Sequence, residues 1–330
     1  MLPNGTNSSS PFFVFGSGRS GTSLLTRMLD SHPSMAVPYE SHLYNRFYPL
    51  VAQRMGELGP GANRKLLVRE ILRTRALRHW RPLPSEDAIL AAIRRPGFHG
   101  VVEALFETWT ASRGKRRWGE KTPHHTLCWP TILEGFPDLK VVHLVRDGRD
   151  VALSFRAAPF GPKHIYQAAH HWVRYLRAAE AAAEELGAEA FLTVRYEDLL
   201  RDAEGQLRRI CDFLEEDYDP VMLAYYRQDV LYPSDARNVH ALRRPVLYEN
   251  HTKWRGRLST REQRIFETIA GEALERYGYP RTVNRPRMAD WEALCCRYVE
   301  NPPRRLLAML RNREGYGFAL ESLRLAVKLR

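Results

Sequence analysis

The stretch Phe12-Phe13-Val14-Phe15-Gly16-Ser17-Gly18-Arg19-Ser20-Gly21-Thr22-Ser23-Leu24-Leu25 constrains the chain more than any other. Its apolar start predicts a buried parallel strand. The glycines allow a sharp turn, and the residues after them predict a helix whose first backbone N–H groups face an anion. Strand, glycine loop and helix in this order make a phosphate-binding loop, but Thr22 stands where the nucleoside triphosphatase version has its lysine. There, lysine and magnesium balance a triphosphate. Here the cation is Arg19, with Ser20, Thr22 and Ser23 as added donors around Gly21, which suits a less charged 5'-phosphate group.

The remaining pattern predicts a layered α/β fold. A helix is expected over 22–31, closed by His32-Pro33, and a short second strand or its exit loop over 36–40. Residues 50–113 read as helical with breaks at Gly59-Pro60-Gly61 and Pro82-Leu83-Pro84, a helical insertion suited to an acceptor-binding lid. Further strands are expected within 116–123, over 139–145 and over 190–196, separated by helices over 165–186 and 203–213. Alternating strands and helices predict a P-loop-like, doubly wound, mainly parallel sheet with its ligand at the strands' C-terminal ends. The organisation expected is one domain over 1–282, with the insertion at 51–115, and a basic helical extension over 283–330.

At 330 residues with 44% hydrophobic content, the chain has ample material for a core. A net charge of +12 favours anionic ligands, but acids interleave with the arginines and no compact basic run marks a nucleic-acid surface. Cys128, Cys211, Cys295 and Cys296 form neither a disulfide framework nor a metal-ligand pattern, which suits a reducing cytoplasm. The start Met1-Leu2-Pro3-Asn4 lacks a signal-peptide pattern, so the sequons at Asn4 and Asn7 read as a disordered polar leader. His124-His125 and His170-His171 are adjacent pairs without i, i+4 spacing, so no metal is expected.

A second anion signal is Val145-Arg146-Asp147-Gly148-Arg149-Asp150-Val151-Ala152-Leu153-Ser154, a strand end turning into a helix. Arg146 is placed to clamp an anion and Ser154 to add a hydroxyl. Alone, the segment reads equally well as two surface ion pairs.

Together with the loop, it resembles the sulfotransferases that use 3'-phosphoadenosine-5'-phosphosulfate (PAPS). Glu120-Lys121-Thr122-Pro123, Arg195-Tyr196-Glu197-Asp198-Leu199 and Lys253-Trp254 narrow the resemblance to the branch containing protein-tyrosine sulfotransferases and their bacterial relatives. It spans about residues 12–279. It implies that Arg19, Ser20, Gly21, Thr22 and Ser23 hold the 5'-phosphosulfate, that Arg146 and Ser154 hold the 3'-phosphate with Lys253 near it, and that Tyr196 contacts the nucleotide.

The same resemblance implies Glu40 as the base and Lys121 as the cation at the departing oxygen. A carboxylate in a dry pocket is expected to have its pKa raised towards neutrality. His124 competes as base, because cytosolic small-molecule sulfotransferases place a histidine just after the equivalent lysine; here the offset is one residue longer. The implied reaction moves a sulfuryl group from PAPS to an acceptor hydroxyl by in-line displacement without magnesium. A small-molecule P-loop kinase and a non-catalytic nucleotide- or nucleic-acid-binding module remain the competing readings. The acceptor, whether small molecule, glycan, lipid or peptide, is not legible, nor is the oligomeric state. The extension fits packing on the core, subunit pairing or contact with an acidic membrane surface.

Overall fold

The computed structural model describes residues 10–54, 61–228 and 239–329. The expected leader at 1–9 and the break at Gly59-Pro60 lie outside them. Five strands form one sheet: β1 (Phe12–Phe15), β2 (Met35–Ala36), β3 (Arg117–Glu120), β4 (Lys140–Val145) and β5 (Phe191–Arg195). The order is β2-β3-β1-β4-β5 and every pairing is parallel. The expected doubly wound sheet is the one observed.

The apolar runs have a direct physical reading, because neighbouring residues of a strand point to opposite faces. Phe13, Phe15 and Val141 enter a core with Leu43, Phe98, Leu105 and Trp118 on one face. Phe12, Val14, Val142 and Leu144 enter a second core on the other face, against Leu25, Met28 and Leu29 of α1 (Thr22–Asp30). Both faces are covered, so the strands cannot alternate with polar residues. The helices α2 (Gly148–Ala157), α3 (Ile165–Leu186) and α4 (Thr260–Arg276) close a third cluster around Val145, Trp172 and Phe266.

The strand before Glu40 is Met35–Ala36, and Glu40 lies in its exit loop, one of the two expected readings. One detail differs from the sequence reading. Tyr196 opens a short helix (Tyr196–Arg201) instead of closing β5. Between β2 and β3 the chain is mostly helical, including Ala62–Leu72 and Gly97–Ser112.

The strand order positions the site. β1 lies between β3 and β4, with Phe13 in register with Glu120 and Phe15 with His143. The loop after β1 therefore emerges between Lys121, one residue beyond β3, and Arg146, one residue beyond β4. This is the crevice outside the strands' carboxyl ends where open α/β sheets take their ligands.

Candidate active site

The loop after β1 is shaped by two glycines. At Gly16 a Cβ would lie 2.6 Å from the Leu144 carbonyl oxygen, so a side chain there would push β1 off β4. Gly21 has φ 95°, and a Cβ on it would meet the Tyr196 ring at 2.3 Å. Gly21 precedes α1 and no side chain caps that end. The first N–H groups of α1 are thus left facing the crevice, the arrangement that favours an anion. Ser17 and Ser20 hydroxyls share a 2.8 Å hydrogen bond that braces the turn.

Arg19 has φ 73°, a left-handed conformation that costs a non-glycine residue roughly 1–2 kcal/mol. Neighbouring contacts hold it there. Its Nε donates to Ser154 Oγ on α2 at 2.9 Å, and its carbonyl accepts from Arg146 Nη1 at 3.3 Å. The two sequence motifs therefore meet in one cluster.

Arg146 also donates through Nη2 to the Asn250 carbonyl at 2.8 Å, and its guanidinium stacks 4.5 Å from the Tyr196 ring centre. Asn250 joins the remaining parts: its amide donates to the Tyr196 hydroxyl (2.7 Å) and its Oδ1 accepts from Lys253 (2.6 Å). The turn carrying Lys253 is pinned by Trp254, whose backbone N–H donates to Asp150 Oδ1 at 3.0 Å. The reading of Arg146-Asp147 and Arg149-Asp150 as surface pairs fails, since all four residues are buried. Arg149 instead bonds Asp147 and Glu267, both at 2.8 Å, and fixes α2 to α4.

On the β3 side Lys121 is buried and its Nζ donates to Glu40 Oε1 at 2.5 Å. Burial pushes the Glu40 carboxyl up, but the Lys121 ammonium outweighs it, aided by His42, and the pKa lies below its ordinary value. That reverses the expected upward shift. An adjacent cation in a poorly solvated site favours the ionised form more than burial disfavours it.

His42 Nε2 lies 3.5 Å from Glu40 Oε2, and burial pushes His42 down to about 4, leaving its ring neutral. His124 is exposed, its ring centre 6.4 Å from that of His42. Both residues weighed as base thus lie on one side of the loop.

Beneath this pair sits Glu120, which the sequence reading missed as a site residue. Its carboxylate accepts from Ser41 Oγ (2.9 Å), Thr122 Oγ1 (2.7 Å), Thr122 N–H (3.1 Å) and His125 Nδ1 (2.7 Å). Burial pushes Glu120 up, yet His125 and these hydrogen bonds hold its pKa below the ordinary value. Thr122 Oγ1 in turn accepts from the N–H groups of Ser41 and His42. One buried carboxylate thereby ties the Glu40 loop to the strand end that bears Lys121.

A profile of the sulfotransferase family matches residues 11–220, which takes in the loop, Glu40, Lys121, Arg146, Ser154 and Tyr196. The chain belongs to the sulfotransferase family. Among its relatives, protein-tyrosine sulfotransferase A of Caenorhabditis elegans is 24% identical over 309 residues, covering 90% of this chain and 75% of that protein. The omega-hydroxy-beta-dihydromenaquinone-9 sulfotransferase of Mycobacterium tuberculosis is 24% identical over 317 residues, covering 84% and 77%. The sulfotransferase domain of the Synechococcus PCC 7002 olefin synthase shares the fold, with a TM-score of 0.53 at 24% identity over 82% of this chain and 98% of that one.

In this sulfotransferase, Asn250 and His42 also escaped the sequence reading. Each had a weak signal, lying three residues before Lys253 and two after Glu40. Only the fold shows that Asn250 joins Tyr196 to Lys253. Among the described residues, one group of potential metal ligands gathers, His164, Cys296 and Glu300. Arg261 already donates to both Glu300 oxygens, at 2.8 and 3.2 Å, and comes within 3.8 Å of Cys296 Sγ. The guanidinium supplies the positive charge there.

Proposed function

We propose that this sulfotransferase moves a sulfuryl group from PAPS to an acceptor hydroxyl by in-line displacement. One observation carries the reading: an uncapped helix N-terminus lies between a lysine–carboxylate pair after β3 and an arginine–tyrosine clamp after β4. The loop with its uncapped helix end and the arginine–tyrosine clamp beside it offer two separate places for an anion, which suits a donor with distinct 5'- and 3'-phosphate groups.

In this reading Arg19, Ser20, Gly21, Thr22 and Ser23 hold the 5'-phosphosulfate. Arg146 and Ser154 hold the 3'-phosphate, with Tyr196 and Lys253 beside the nucleotide. Lys121 turns from Glu40 towards the oxygen bridging sulfur and phosphorus, where charge builds as that bond breaks. Glu40 takes the acceptor's proton as its oxygen bonds to sulfur, and adenosine 3',5'-bisphosphate leaves. Losing its Lys121 partner raises the Glu40 pKa, so donor binding itself activates the base.

The acceptor does not follow from likeness, because the relatives' names specify a protein tyrosine in one and a menaquinone derivative in the other. Calorimetric titration with adenosine 3',5'-bisphosphate, followed by an acceptor screen with labelled PAPS in the presence of chelator, tests the proposal. Saturable binding and chelator-resistant transfer are expected. No binding, or magnesium-dependent turnover of ATP in its place, overturns it.

A further inference from the structure

Twelve of the sixteen large hydrophobic side chains exposed among the described residues fall between Trp291 and Val327. They lie on the helical turns of residues 290–300, on α5 (Asn301–Arg311) and on α6 (Arg313–Lys328). At 100° per residue, Leu306, Leu307, Met309 and Leu310 share one face of α5 while Arg304 and Arg305 occupy the other. All of these leucines and the methionine are about half or more exposed. On α6, Leu320 and Leu323 belong to a stripe turned away from the domain, while the opposite face is buried through Glu321, which bonds Arg46 at 2.7 Å, and Leu325.

We propose that this C-terminal helical region docks the protein on the surface of an anionic lipid bilayer. A basic polar face opposite an exposed apolar face is the pattern of a helix lying in the interfacial plane. Trp291 and Tyr298, 71% and 62% exposed, are side chains with an apolar body and a polar tip, suited to the headgroup level. Charge argues for lipid over a second copy of the chain. Residues 283–330 contain ten Lys and Arg against five Asp and Glu, so self-pairing would bring like charge together, whereas an anionic surface complements it. No helix among the described residues is long and apolar enough to cross a membrane, so the contact is peripheral. The inner face of α6 also reaches the Glu40 loop, with Phe318 5.0 Å from the His42 ring centre. Docking would hold that side of the site near the bilayer.

Flotation of the full chain with vesicles of phosphatidylcholine, with and without phosphatidylglycerol, tests this without reading activity, so its result is separate from that of the donor assignment. Flotation is expected with the anionic vesicles alone, weakening as salt rises. Leu306→Glu/Leu310→Glu and, separately, Arg304→Glu/Arg305→Glu should each weaken it at least about tenfold while leaving the thermal melt unchanged. Absence of flotation overturns the proposal, as does equal flotation by the folded variants. So does a solution dimer that Leu306→Glu/Leu310→Glu dissociates in a protein that ignores vesicles.

Discussion

Lys121 Nζ donates to Glu40 Oε1 over 2.5 Å across 81 positions of sequence. The two groups proposed for opposite ends of the sulfuryl transfer therefore begin as each other's partner. The lysine keeps the carboxylate ionised, and the carboxylate keeps the lysine oriented at the end of β3.

Separating the pair by mutation tests its two roles. Glu40→Gln should lower kcat by about 10²–10⁴ and leave adenosine bisphosphate affinity within about twofold, since the donor clamp is untouched. Lys121→Ala should also act mainly on kcat. Single-turnover transfer with each variant and with His124→Ala checks the assignment. Full turnover in Glu40→Gln combined with loss in His124→Ala would identify His124 as the base.

Arg146 uses two nitrogens in different directions, towards the Arg19 and Asn250 carbonyls, while its plane lies on Tyr196. Lysine retains the charge but neither the fork nor the stacking plane. Arg146→Lys should therefore weaken adenosine bisphosphate binding about tenfold or more by calorimetry. Affinity within about twofold of the original would remove Arg146 from the clamp.

Gly21→Ala introduces both a left-handed alanine and a clash with the Tyr196 ring. Chemical denaturation should show a loss of at least about 1 kcal/mol from the backbone alone. Adding Tyr196→Ala should relieve the clash but not that backbone cost, so the double variant should lose less than the two single losses together.

Glu120→Ala would leave several buried donors unpaired. A loss of about 3 kcal/mol is expected from denaturation. Because Glu120 fixes the Glu40 loop against Lys121, kcat should fall as well, with adenosine bisphosphate affinity less affected. Unchanged stability would show that the buried network contributes little.

Burial pushes His143, inside β4, from 6.5 down to about 4. An unfolded chain protonates this ring as pH falls below 6.5, while the folded chain resists until about 4, so the unfolded state binds more protons between these values. Stability is present above pH 6.5 and is lost as pH falls towards 4, by up to about 3 kcal/mol from this ring. Denaturation midpoints measured across that window should decline. The decline should be shallower in His143→Gln, provided that variant folds.

Much of the architecture was legible because its causes are local. Apolar runs covered on both faces marked β1 and β4, and the amphipathic period of 165–186 gave α3 its observed bounds. Tyr196 was harder to place, because one residue at a strand-to-helix junction reads as the end of the first or the start of the second. The direction of the Glu40 pKa shift was also misread. Burial is suggested by the sequence around Glu40, whereas a lysine 81 residues away is not.

By itself, the sequence determined a strand, a glycine loop and a helix with Thr22 in the lysine's place, because backbone geometry and the chemistry of an anion-facing turn are written in neighbouring residues. Only the tertiary structure decided that Lys121 and Arg146 flank that loop, because strand order places β3 and β4 on either side of β1. The same holds for Asn250 and Glu120. Their importance lies in which distant groups they join, and hydrogen bonds across 54 to 104 positions leave no period or spacing to read.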